Sequence, residues 1–137
     1  MNNLALVYEA QKRYAEAESL YLRSLQIWER QLGSEHVHVA ASLNNLAALY
    51  EAQGDFERAE SLYLRSLEID RAHYGDYHPE VATDLNNLGI LSAKMQRYPA
   101  AIAHLAQAVS LRERLLGDLH PYTIQSSEAL EYLKRQS

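Results

Sequence analysis

The stretch Leu43-Asn44-Asn45-Leu46-Ala47 returns 42 residues later as Leu85-Asn86-Asn87-Leu88-Gly89, and it stands 42 residues earlier as Met1-Asn2-Asn3-Leu4-Ala5. Gly33, Gly75 and Gly117 keep the same phase, and so do His36, His78 and His120. A fixed period of this length marks a repeat array, in which each unit buries its apolar face against its neighbours. The echo is strongest between the first two units. Residues 17–25 read Ala-Glu-Ser-Leu-Tyr-Leu-Arg-Ser-Leu, and residues 59–67 repeat them without change. The third unit shares chiefly the Asn-Asn phrase and the phrase Gly-Asp-x-His-Pro, found at 75–79 and 117–121.

Each unit holds two helical patterns. Val39, Leu43, Leu46, Ala47 and Tyr50 recur at steps of three and four, which is one face of a helix running from about 38 to 52. Gly54-Asp55 supplies the turn that ends it. Phe56, Ala59, Leu62, Tyr63, Leu67 and Ile69 form a second set, which runs to about Tyr74 and stops at Gly75. His78-Pro79 opens the next helix with proline in the first turn, where its missing N–H costs nothing. The third unit predicts helices near 79–95 and 98–116, and the tail from Pro121 to about Arg135 reads as one more first-of-pair helix. That tail has Glu128 and Ala129 in place of the Asn pair, and Glu131 where a small packing residue stood. A polar outer face suits a capping element. The expected fold is therefore all-α, with about seven helices in antiparallel pairs. It forms one repeat domain over residues 1–137, with units 1–42, 43–84 and 85–126 and a capping helix at about 121–136.

Composition narrows the function. The chain is 47% apolar and 23% charged, with only 5 Gly and 3 Pro, which leaves little room for strands or linkers. A net charge of −5 argues against nucleic acid or an anionic membrane as partner. The absence of cysteine removes disulfides, thiol nucleophiles and thiolate metal sites. The start shows no signal peptide, and no stretch approaches the ~20 apolar residues of a membrane span. Cytoplasmic is the default placement. There is no phosphate-cradling glycine loop, no nucleophile elbow and no His-x-x-x-His, so neither catalysis nor a cofactor is expected.

Leu46-Ala47-x-x-Tyr50 in one helix and Ala59-x-x-x-Tyr63 in the next resemble the tetratricopeptide repeat. The 42-residue period and the phrases Leu-Asn-Asn-Leu-Ala and Tyr-x-x-Ala-Glu-x-Leu-Tyr are similar to the kinesin light chain subclass of that repeat. The likeness covers nearly the whole chain. It departs where Lys12 and Gln96 replace the turn glycine Gly54, and where Val37 replaces the proline of the His-Pro phrase. The resemblance implies a right-handed α-solenoid whose first-of-pair helices line a concave groove, and a role in binding peptide or protein.

The residues agree that this helix has a spare face. At roughly 100° per residue, the side opposite the apolar stripe carries Ala41, Asn44, Asn45, Ala48 and Glu51 in unit two. Unit one offers Asn2, Leu6 and Glu9; unit three offers Thr83, Asn86, Asn87, Ile90 and Lys94; the tail adds Gln125, Glu128 and Tyr132. An amide both donates and accepts, so an asparagine ladder can hold an extended peptide backbone without demanding charge. Ligand contact is the reading for Asn44 and Asn86. Asn45 and Asn87 are open either to that or to fixing the packing of neighbouring helices. With only Lys94 as a cation on this face, a carboxylate clamp is not expected; a neutral or slightly basic peptide is. The three periodic histidines fall one unit apart, too far to converge on one metal at ~2 Å, and read as loop residues that bond backbone at a helix start. Tyr8, Tyr21, Tyr50 and Tyr63 read as core residues with a polar tip, Trp28 as partly buried, and the charge run Arg112-Glu113-Arg114 as a solvated face. A second functional reading is self-assembly, with homo-oligomers formed through an uncapped N-terminal helix exposing Leu4, Val7 and Tyr8.

Overall fold

The computed structural model describes residues 13–136, and those residues form six helices: α1 (Tyr14–Leu32), α2 (Val37–Ala52), α3 (Phe56–Tyr74), α4 (Pro79–Lys94), α5 (Tyr98–Leu116) and α6 (Pro121–Gln136). No strand occurs among the described residues. The expected first helix, with Asn2, Leu6 and Glu9 as well as Leu4, Val7 and Tyr8, lies outside them. Contacts within the chain cluster into two compact units, residues 1–69 and 70–137, and the division falls inside α3.

The helix ends follow from a few residues. α1, α3 and α5 stop at Gly33, Gly75 and Gly117, whose φ of 90°, 83° and 91° only glycine adopts cheaply. α2 and α4 end in tighter turns. Asp55 N–H donates to Tyr50 C=O at 2.8 Å and Arg97 N–H to Ser92 C=O at 2.9 Å, the six-to-one bonds of a Schellman motif. The left-handed residue in the first turn is Gly54, with φ 84°. In the second it is Gln96, with φ 61°, so the turn survives the loss of its glycine at a cost in backbone strain.

Helix starts are set by the periodic histidines. His36 Nδ1 accepts from His38 N–H, His78 Nδ1 from Glu80 N–H and His120 Nδ1 from Tyr122 N–H, each at 3.1 Å. Each ring thus satisfies one of the amide donors that a helix start leaves unpaired. The rings are themselves packed. His78 stacks on Tyr74 at 3.8 Å, and His38 lies between Trp28 at 4.8 Å and His36 at 5.0 Å. Asp55 opens α3 by accepting from Arg58 N–H at 3.3 Å.

In the unit of residues 1–69, α2 supplies the centre of the core: Val39, Leu43, Ala47 and Leu49 are fully buried. α3 runs antiparallel to α2. Tyr63 Oη donates to Glu51 at the end of α2 (3.0 Å), and Ser66 Oγ donates to Ala40 C=O at its start (3.2 Å). In the unit of residues 70–137, α4 and α5 close on each other at Gly89. A Cβ there would sit 2.6 Å from Leu105 Cγ and 3.3 Å from the Ala101 carbonyl oxygen. Ala101, Leu105, Leu130 and Leu133 then join α5 and α6 in one buried cluster.

Candidate functional site

The faces picked out by the repeat register can be followed helix by helix. On α2, Ala41 and Ala48 are exposed and Asn44 and Asn45 are half-buried. Glu51 is half-buried too, but one of its carboxylate oxygens is held by the Tyr63 hydroxyl of α3, so it contributes to packing as well as to the surface. Tyr63 itself is 3% exposed, a core ring whose hydroxyl needs and finds an acceptor. Tyr50 closes the end of α2. Burial, and next the negative charge of Glu18, pushes its phenol above its ordinary range, while Arg58, whose guanidinium lies 5.4 Å over the ring, pulls the other way.

On α4 and α6, which are adjacent in the second unit, the picture divides. Thr83, Asn87 and Ile90 are half-buried and Lys94 is exposed. Gln125, Glu128 and Tyr132 are exposed on α6, and Ile90 and Ala129 both pack against the Ala101–Leu105–Leu130–Leu133 cluster. The outer face of α6 is less polar than the sequence suggests, because Tyr122, Ile124 and Tyr132 are 56%, 40% and 58% exposed.

Asn86 differs from the expectation. It is buried, and its amide oxygen accepts from Ser126 Oγ at 2.7 Å. Ser126 in turn receives Arg112 Nη1 at 2.6 Å, and the same nitrogen donates to Tyr122 C=O at 3.0 Å. This network ties α4, α5 and α6 together. Asn86 therefore fixes helix packing, and of the two asparagines on α4 it is Asn87 that reaches the surface. The reading of Arg112 as a solvated charge is likewise corrected: the residue is 4% exposed, and burial holds its guanidinium below the ordinary value, partly offset by Tyr122. A signal was present in the sequence. Arg112 continues the buried stripe Ala101, Leu105, Ala108 at helical spacing, and a charge on such a stripe must find acceptors inside.

No helix among the described residues is long and apolar enough to cross a membrane. No group of three His, Asp or Glu side chains among them is arranged to hold a metal ion.

Comparison with known proteins gives this arrangement its context. The tetratricopeptide repeat profile matches residues 1–72 and 58–113. No curated protein matches the sequence. Among solved structures, BtubC (BKLC) of P. vanneervenii is 29% identical with a TM-score of 0.89; the match takes in 98% of this chain and 54% of that one. A kinesin-light-chain-type protein of Podosopora anserina with nearly identical TPR-like repeats is 25% identical with a TM-score of 0.89, over 98% of this chain and 64% of that one. The apo form of RapI, 22% identical with a TM-score of 0.84 over 98% of this chain and 47% of that one, shares the fold. This chain thus spans between half and two-thirds of the first two structures. The family is one of α-solenoid interaction modules, generally without catalytic activity of their own. With the 42-residue period, the paired helices and the profile in agreement, the chain belongs to the tetratricopeptide repeat family, and to its kinesin light chain-like kind.

Proposed function

We propose that the chain is a non-catalytic interaction scaffold that binds an extended segment of a partner protein on the outward faces of its first-of-pair helices, α4 and α6 in the second unit and α2 by itself in the first. The observation that carries this reading is the surface of the second unit. Asn87 offers donors and an acceptor, and Thr83, whose hydroxyl donates to Pro79 C=O at 3.1 Å, keeps its lone pairs as acceptors, beside Ile90 and Ala129, with Gln125 and Tyr132 exposed on α6. Amides hold a peptide backbone, and an apolar floor takes its side chains. α2 offers the same chemistry in the first unit: Asn44 and Asn45 flanked by Ala41 and Ala48, whose small side chains leave room. Rigid helices present these groups already in place, which lowers the entropy cost of ordering a flexible ligand. Asn45 and Asn87 are the contacts of first choice, with Asn44 beside them. Glu51 and Glu128 favour a neutral or slightly basic segment. Nothing in this chemistry calls for a cofactor, and the partner is protein or peptide.

The test is a peptide-library selection on the wild-type chain followed by titration of the selected peptide into the Asn45→Ala/Asn87→Ala double variant. Loss of the amide's donor and acceptor bonds to the peptide backbone, in whichever unit the peptide occupies, predicts a rise in Kd of roughly tenfold. An unchanged Kd with the fold intact removes these amides from the site.

A further inference from the structure

Within the first unit, Arg65 of α3 reaches across to the loop after α1. Its Nη2 lies 3.4 Å from a carboxylate oxygen of Glu29 and 3.5 Å from the Ser34 carbonyl oxygen. Two repeats on, the positions of Glu29 and Ser34 are held by Glu113 and Asp118. Both line a cleft of about 270 Å³ between α5 and α6, together with Val109, which stands in register with Leu25, and Thr123, in register with Val39. The chain thus forms the same socket again at its C-terminal end, with two carboxylates where the first socket has one carboxylate and a carbonyl.

Two further observations point to a ligand. Glu128 adds a third carboxylate to the cleft, and none of Glu113, Asp118 and Glu128 has an ion-pair partner among the described residues. Thr123 is only 2% exposed and lines the cleft, yet its hydroxyl has no hydrogen-bond partner. A buried hydroxyl in that state is costly unless something bonds it. Leu119, next to Asp118 in the chain, is 88% exposed. The middle socket shows the contrast. There Arg71, in the last turn of α3, pairs with Asp76 of the loop that follows at 3.5 Å, and Gln107 holds the place of Arg65. That socket is neutralised from within, and the last is not.

We propose that the α5–α6 cleft is a second docking site, which has only Glu128 in common with the amide faces and takes an arginine carried on a short helical segment of a partner protein. The guanidinium fork suits two carboxylates that line one cleft, and the arginine stem and its helical neighbours lie on Val109 and Ile124. The segment is short because Glu131 occupies the close-packing position that Ala47 and Gly89 hold on α2 and α4. A helix cannot approach α6 there as α5 approaches α4, so only the N-terminal half of α6 is accessible to it.

The chain's own Arg65-bearing segment provides the probe. A synthetic peptide with the sequence of residues 59–74 is titrated into the full ¹⁵N-labelled chain. The expected result is a shift of the Thr123, Ile124 and Ser127 amides. Affinity falls about tenfold or more when the peptide carries Arg65→Gln, or when the chain carries Glu113→Lys and Asp118→Lys. It is unchanged in the Asn45→Ala/Asn87→Ala chain, which keeps this test separate from that of the amide faces. The proposal is overturned if those amides stay unmoved up to about 1 mM peptide. It is equally overturned if the Arg65→Gln peptide or the charge-reversed chain binds as tightly as the parent pair.

Discussion

The three periodic histidines show how one residue type can serve a repeat without touching function. Each accepts a helix-start N–H through Nδ1, a lone pair that only the unprotonated nitrogen offers. Replacing His78 by alanine is expected to cost about 1 kcal/mol of unfolding free energy, whereas His78→Asn, which also caps, is expected to stay within a few tenths. Urea melts of the two variants check this, and equal losses would show that the stack on Tyr74, not the cap, is what the position supplies. Gln96 is the complementary case, a side chain where the turn asks for glycine. Gln96→Gly is expected to raise stability by about 0.5–1 kcal/mol, read from the same melts, because it relieves a left-handed residue that keeps both of its turn hydrogen bonds.

At the scale of elements, the close approach of α4 and α5 at Gly89 governs the second unit. A methyl group there meets Leu105 Cγ and a backbone oxygen, so α5 must shift or Leu105 must leave its rotamer. Gly89→Ala is therefore expected to lower stability by about 1–2 kcal/mol even though alanine is the better helix former. A stability gain in thermal unfolding would contradict the packing described. The helices themselves were legible in the sequence, because Gly75, Gly117 and the His-Pro steps punctuate a clear three-and-four periodicity. Their interior polar contacts were not. Asn86 looks like Asn44 in register, yet its environment is made by Arg112 and Ser126, which stand where the preceding unit has Asp70 and Asp84. A periodic pattern conveys what the units share, and this network is built from residues they do not share.

At the scale of the whole chain, repetition carries the family and divergence carries the specificity. The shared leucines, alanines and turn residues give the helix pairs that the structural neighbours also have. The residues that vary between units distinguish the surfaces: an amide flanked by alanines on α2, an amide beside isoleucine on α4, a tyrosine and a glutamine on α6, and the acidic cleft beyond them. Which asparagine of the pair faces outward depends on partners one unit away, so the sequence pattern could nominate the Asn columns but could not sort them. The sorting is also what can be tested. The most direct measurement is the Kd of one selected peptide for Asn87→Ala and for Asn86→Ala, each with its melting temperature. The account predicts a several-fold weaker Kd with an unchanged melting temperature for Asn87→Ala, and a lowered melting temperature with a Kd within about twofold for Asn86→Ala. The reverse pattern, with affinity lost at Asn86 and stability lost at Asn87, would contradict it.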